Sequence, residues 1–423
     1  MAGWKVLVVG NGSREHTFAW KLAQSPRVER IFCVPGNGGT GAIAENVPIA
    51  VNQVAALVDW GLAARIDLAI VGPEEPLALG LADRLREAGI PTFGPSAAAA
   101  RIETSKSWAK DVMAAAGVAN AAHRVFSDAA DAWAYVQSKT FPLVLKADGL
   151  AAGKGVLIAN TLEEARSAID ALLVERSFGA AGETLLVEEF LQGHEVSLIA
   201  LVDGQCVVPL VPACDHKRVG DNDTGPNTGG MGAFAPTKLL DAAETDRLRA
   251  QVLDPVVAEL AGRGLPYRGA LYAGLILTPD GAKVIEFNCR FGDPETQVIL
   301  PLLESDFAEL AYAVATGELS RGAVKTSDGH RCGVVVVSEG YPGAYVTGRE
   351  IRGLGSLDPQ ALVFHAGTRR EGDRLVTSGG RVLTVVGVGN SLVAAQRHAY
   401  DNLERIEFDG MCYRHDIGAR EID

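Results

Sequence analysis

A multidomain α/β protein, opening on a parallel sheet and closing on a small α+β unit, is the fold the sequence predicts. Three observations predict it. Residues 1 to about 100 alternate apolar runs (5–9, 31–34, 66–71, 90–93) with helical patterns (13–25, 52–64, 76–89), which is the rhythm of βαβ units and a helix-covered parallel sheet. A chain of 423 residues is too long for one hydrophobic core, and its 48% apolar content suffices for several. The last hundred residues change rhythm, with strand patterns at Cys332–Ser338 and Val382–Gly387 and a helix at 391–406.

In the N-terminal region each apolar run closes in Gly or Pro-Gly (Gly10, Pro35-Gly36, Gly72-Pro73, Gly94-Pro95), so the loops at the carboxyl ends of the strands form one edge, where a substrate is expected. A helical stretch from Lys106 to Gly117 leads into a compact unit at about 120–192. Its strands Leu143–Ala147, Gly155–Ala159 and Thr184–Phe190 flank a helix at 162–174, the pattern of a small inserted lid. Strands at 195–203 and 205–213 run into a long glycine-rich loop, Asp215–Gly232, a length that inside a domain points to function. A helix at about 238–263, strands at 270–278 and 282–288, and helices near 295–303 and 306–316 complete the central region. The C-terminal unit shows no chemical signature of its own, and no internal repeat or low-complexity tract is present.

A net charge of −13 argues against a nucleic-acid footprint or an anionic membrane surface, so small molecules are the expected partners. The six cysteines (33, 206, 214, 289, 332, 412) form no CxxC pair, which signals neither a disulfide framework nor a zinc site. Reduced thiols, no signal-like start and no membrane-length apolar run together predict a cytoplasmic protein.

The segment Val284–Glu295 carries the sharpest chemistry. Glu286 and Asn288 lie two apart on a short apolar strand and point the same way, offering a carboxylate and an amide oxygen to a hard cation such as Mg²⁺ alongside nucleotide phosphates. Arg290, Asp293 and Glu295 follow at once, a density of charge beside a core that calls for a partner. Lys146 ends a strand and is followed by glycines at 149, 153 and 155 and by Lys154, which leaves backbone amides free to approach phosphate oxygens. Because Gly155 follows Lys154, the run is not a Walker-type loop. Glu188, Glu189, Phe190 and Leu191 end a strand, with Glu195 seven residues beyond Glu188, a hinge able to hold an adenine edge and ribose hydroxyls.

Gly10-Asn-Gly-Ser-Arg-Glu-His16 begins like a dinucleotide fingerprint, but Glu15 replaces the third glycine and no acid ends the second strand, which disfavours a nicotinamide cofactor. What remains is a glycine turn at a helix N-terminus, with Arg14 expected to grip a phosphate. No G-x-S-x-G elbow, H-E-x-x-H helix or activated Cys-His signature is present.

With the phosphate hairpin, the Glu-Glu-Phe-Leu hinge and the Glu-x-Asn strand in that order, the chain resembles the ATP-grasp ligases. Gly10–His16, Lys146–Gly155, Asp215–Gly220, Asp223–Gly232 and Glu286–Gln297 resemble, more closely, the phosphoribosylamine–glycine ligases, or glycinamide ribonucleotide synthetases, over essentially the whole chain. The resemblance implies a Rossmann-like N-terminal substrate domain (1–103), an ATP-grasp region (104–325) with its lid, and a small C-terminal domain (326–423), acting as a monomer. It implies that ATP, glycine and 5-phosphoribosylamine become glycinamide ribonucleotide, ADP and phosphate through glycyl phosphate. It further implies that Lys106, Lys146, Gly153 and Lys154 hold ATP phosphates, Glu188–Leu191 the adenine, Glu195 the ribose, and Glu286 with Asn288 the Mg²⁺ or Mn²⁺. Arg290, Asp215 and Lys217 are the implied catalytic residues, while Gly225, Pro226, Asn227, Asp293, Pro294 and Glu295 cradle the substrates and Gly12, Ser13 and Arg14 sit near the sugar phosphate. The wider superfamily often carries a further acid on the preceding strand, and Ala270–Thr278 has none.

Overall fold

The computed structural model describes residues 3–149, 155–176 and 182–422. Five parallel strands open it, in the order 45–46, 28–35, 4–10, 68–71, 92–93, with the helices Ser13–Leu22, Val54–Ala64 and Leu81–Glu87 following strands in sequence. The apolar runs form the strands because both faces are covered: Val6, Leu7, Val8 and Val9 are all fully buried.

A four-stranded antiparallel sheet forms the centre, in the order Val207–Pro209, His194–Asp203, Arg268–Thr278, Gly281–Asn288. The lid has its own four-stranded sheet, ordered 123–126, 185–189, 143–147, 156–159, and its own core around Phe126, Leu143, Leu145, Ile169, Leu172 and Val187. Two lid elements had no sequence expectation, the strand His123–Phe126 and the helix Ala129–Val136, whose Asp128 cap accepts from Ala130 and Asp131. The lid joins the central sheet where Val284 N–H donates to Ala119 O at 2.9 Å.

The long loop differs most from its expectation. Cys214–Asp215 and Gly232–Ala235 pair with each other, and the second strand pairs with His330–Ser338, so the base of the loop belongs to the C-terminal sheet. Between them Arg218–Gly220 and Thr224–Asn227 form a hairpin. The C-terminal sheet continues through Arg381–Gly389 to Leu362–His365, packed by the helix Leu392–Leu403, with a second hairpin at Thr368–Glu371 and Arg374–Thr377. Among the described residues no helix is long and apolar enough to cross a membrane.

Candidate active site

Near the Lys146 strand, Ser105 caps the helix Lys106–Ala115 by accepting from Trp108 N–H, which fixes Lys106 at its first turn. Asp148 ties the hairpin root to this turn, accepting from Ser107 N–H at 3.2 Å and from the Ser107 hydroxyl. Lys106 Nζ donates to Gly149 O at 2.9 Å, and burial, opposed by Glu286, lowers its pKa. Lys146 and Lys110 flank Glu188, with Lys146 Nζ 2.8 Å from Oε2 and Lys110 Nζ 3.1 Å from Oε1, and all three side chains are buried. Here the hinge expectation needs correction: the Glu188 carboxylate is enclosed by lysines, because two buried ammonium groups at this depth require a counter-charge. Lys110 is a participant that sequence reading missed; its helical spacing from Lys106 was the available signal.

Glu189 faces outward, accepting from Ala122 N–H at 2.9 Å and pairing with Lys283 at 3.2 Å, while Phe190 remains 37% exposed at the hinge. Leu191 is partly buried beside it. Gly153 and Lys154 lie outside the described residues.

Glu286 and Asn288 pair with Gly274 and Tyr272 across the ladder and share one strand face. Burial opposes the Glu286 charge, but Lys217, Lys146 and Lys106 hold its carboxyl below the usual range. Lys217 Nζ lies 3.4 Å from Glu195 and 3.8 Å from Glu286, so the loop reaches both acids. Arg290 is bracketed: its guanidinium donates to Glu103 at 2.9 Å, Glu74 at 3.2 Å and Asn288 Oδ1 at 3.2 Å. Glu103 also accepts from Cys289 N–H at 2.8 Å. Neither Glu74 nor Glu103 was legible in advance, since each sits on a different helix near its end.

Asp215 is pushed up to about 7 by burial, against Lys217, with Glu295, Glu195 and Glu286 adding to the rise. Glu295 is buried and accepts from Ser197 Oγ at 3.0 Å, and Ser197 in turn shares a hydrogen bond with Tyr272 at 2.8 Å. Among the described residues no group of three acidic, His or Cys side chains is placed to hold a metal ion. Glu286 and Asn288 alone fit Mg²⁺ only as a pair that shares it with phosphate oxygens.

Beside this centre lies a cavity of about 610 Å³ between the N- and C-terminal units. Asn11, Gly12, Asn37 and Gly38 line one wall, Thr368, Arg369, Arg370, Ser378 and Arg381 the other, with Asp293 between them. Arg381 donates to the carbonyls of Gly229 and Asp293, both at 2.7 Å, and lies 3.4 Å from the Asp293 carboxylate. Asn11 and Gly12 line the cavity, but Ser13 and Arg14 do not. Ser13 Oγ donates to Phe364 O at 2.9 Å, and Arg14, only 6% exposed, donates to Glu15 at 2.6 Å and to Phe291 O at 3.0 Å. The expectation of Arg14 as a free phosphate grip is therefore overturned. Glu15 also accepts from Gly12 N–H, so the residue that breaks the dinucleotide pattern closes the helix start and binds the arginine. Gly225 and Pro226 lie on the exposed hairpin strand and Asn227 at its partly buried end; none lines the cavity, whereas Pro294 packs against Gly230.

Three family models match the chain: phosphoribosylglycinamide synthetase N domain over residues 4–103, its ATP-grasp (A) domain over 104–296, and its C domain over 331–420. A phosphoribosylamine–glycine ligase of Nostoc sp. is 50% identical, covering 98% of this chain and 99% of its own length, and one of Vibrio cholerae is 48% identical over 99% and 98%. The crystal structure of a phosphoribosylamine–glycine ligase from Thermotoga maritima superposes with a TM-score of 0.87 at 32% identity, covering 98% of this chain and all of that one. The biotin carboxylase domain of Hydrogenobacter thermophilus 2-oxoglutarate carboxylase, solved with MgADP and bicarbonate, shares the fold at a TM-score of 0.75 and 18% identity, covering 97% and 92%. With all three units matched in order and full-length relatives near half identity, the chain belongs to the phosphoribosylamine–glycine ligase family.

Proposed function

We propose that this chain ligates glycine to 5-phosphoribosylamine at the expense of ATP, giving glycinamide ribonucleotide, ADP and phosphate, the second step of purine synthesis. The observation that carries the reading is continuity: from the strand bearing Glu286 and Asn288 the chain passes directly through Arg290 to Asp293 on the wall of the polar cavity. A nucleotide side and an amine side thus meet across a few residues.

The chemistry asks for two transfers. A glycine carboxylate oxygen attacks the γ-phosphorus of ATP and ADP leaves; the phosphoribosylamine nitrogen then attacks the carbonyl carbon of glycyl phosphate, phosphate leaves, and the nitrogen loses a proton. Both steps are governed by positioning and charge neutralisation, so no covalent nucleophile is required. Lys106 and Lys146 would hold ATP phosphates, and Glu188 would keep Lys146 aimed. The backbone of Glu189–Leu191 with Phe190 would hold adenine, and Glu195 the ribose. Glu286 and Asn288 would hold Mg²⁺ or Mn²⁺, which neutralises phosphate charge. Arg290, fixed by Glu74 and Glu103, would stabilise charge on the acyl phosphate. Lys217, Asp215 and Glu295 would face glycine. The cavity's guanidinium groups, asparagines and glycine backbone suit a sugar phosphate.

Domains at 1–103, 104–325 and 326–423, a lid that closes over nucleotide, a monomeric state and a cytoplasmic location complete the proposal. Phosphate release assayed with each substrate omitted tests the activity, and lid proteolysis with and without ATP tests closure.

A further inference from the structure

The Asp215–Gly232 loop brings Lys217 to Glu195 and Glu286, yet the C-terminal quarter of the chain holds it at base, middle and tip. At the base, Gly232–Ala235 pairs with His330–Ser338, and Val335 N–H donates to Met231 O at 2.9 Å. In the middle, Gly229 N–H donates to the Tyr341 hydroxyl at 3.0 Å, and Arg381 donates to Gly229 O at 2.7 Å. At the tip, Arg414 is only 1% exposed and donates to Asp416 through two nitrogens at 2.7 Å, to Asp223 at 2.9 Å and to Arg218 O at 3.1 Å. Arg420 adds a contact to Asp223 at 2.9 Å, Asn222 N–H donates to Asp416 at 2.8 Å, and His415 N–H donates to Asp221 at 2.8 Å.

The tip needs holding. Asn222 and Asp223 both have left-handed backbones, with φ of 55° and 54°; Asn and Asp adopt this region more readily than other L residues, but two in succession are uncommon and the Arg414–Asp416 contacts hold them there. Just upstream, His216 is buried and accepts from Gly418 N–H at 3.4 Å; Glu421 accepts from Lys238 N–H at 2.6 Å, pinning the chain beyond the loop.

We infer that the segment Arg414–Glu421 is a latch for this loop, and that Arg414 is a positioning residue setting where Lys217 and the glycine-rich stretch stand over the reacting groups. The kinetic consequence rests on the ligase reading above; the structural one does not. Among the described residues the Arg414 guanidinium bonds to Asp416, Asp223 and Arg218 O, so its effect on the site is transmitted through Asp223 and Arg218.

The test uses the full-length Asp416→Ala/Arg420→Ala double variant, together with Arg414→Lys, which keeps the charge and loses the fork. The half-exposed Arg420→Ala single variant serves if the double variant does not fold. Amide exchange at residues 218–228 is expected to speed up about tenfold without ligand. Glycine KM rises or kcat falls about tenfold. ATP affinity stays within roughly twofold of the parent, as for substitutions remote from a ligand. Arg414→Lys falls between parent and double variant. Exchange like the parent's in all variants, or faster exchange with unchanged kcat and glycine KM, overturns the latch. Absence of glycine-dependent turnover in the parent defeats the ligase reading instead, and the exchange result still decides whether the segment holds the loop.

Discussion

On the nucleotide side, charge meets charge directly: Lys146 and Lys110 enclose Glu188, and Glu74 and Glu103 bracket Arg290. Across the site, the cavity beside Gly12 is walled by glycines, asparagines and hydroxyls, with guanidinium groups reaching in from residues more than 350 positions away. The first region is an electrostatic frame in which Lys110 and Lys146 share the buried Glu188, and Arg290 is held between Glu74 and Glu103. In the second, Arg369 pairs with Glu371 and Arg381 with Asp293 around an open polar space, which the proposed function assigns to a charged substrate. Buried ion pairs of the first kind contribute precision more than stability, because desolvation offsets most of their attraction.

Four perturbations sharpen this contrast. Glu286→Gln removes the one carboxylate of the Glu-x-Asn pair, and kcat for phosphate release is expected to fall about 10³-fold while the fold persists, as in loss of a preorganised charge contact at a reaction centre. Arg381→Ala strikes the other region. It is expected to lower kcat/KM for the amine about 30-fold, a loss of ~2 kcal/mol for hydrogen bonds to a charged group, with KM for ATP unchanged. If Arg381→Ala instead raised KM for ATP, the division into two sides would break. Phe190→Ala, at the hinge, is expected to raise KM for ATP about fivefold, ~1 kcal/mol of aromatic contact, and to leave glycine untouched.

The smallest effect is read from stability against pH. Asp215 stands at about 7 in the folded chain and near 3.8 when unfolded, so folding favours its protonated form. Its contribution is fully present below pH 3.8 and is lost as pH rises through about 7. The Tm of the parent, compared with that of Asp215→Asn between pH 4.5 and 8, should decline relative to the variant as pH rises. A constant difference would contradict the burial of that carboxyl.

The shared face of Glu286 and Asn288 was legible in the sequence because one local element carries it. Glu286 and Asn288 share a strand face by period two, and the βαβ rhythm placed the N-terminal sheet with strands shifted by only a few residues. The C-terminal wall of the cavity was not legible, since Ala366–Arg370 and Ser378–Arg381 lie in a hairpin, a loop and the first residue of a strand, and the residues facing them lie at the other end of the chain. The same distance hid the base of the long loop. Asp215–Gly232 reads as irregular until His330–Ser338 supplies the strand that orders it. Arg14 failed for a local reason: the Glu15 beside it was read only as a missing glycine, whereas its carboxylate caps Gly12 and takes the guanidinium. Lys110 and Glu188 show the converse, a pairing that follows from burial and was open to a helical-spacing argument from Lys106.

The most direct test of a nucleotide side joined to an amine side is phosphate release from Mg-ATP, with glycine and phosphoribosylamine formed in place from ribose 5-phosphate and ammonia, leaving out each component in turn. Release that requires ATP, glycine and the amine together is the predicted result. Release indifferent to glycine would contradict the account.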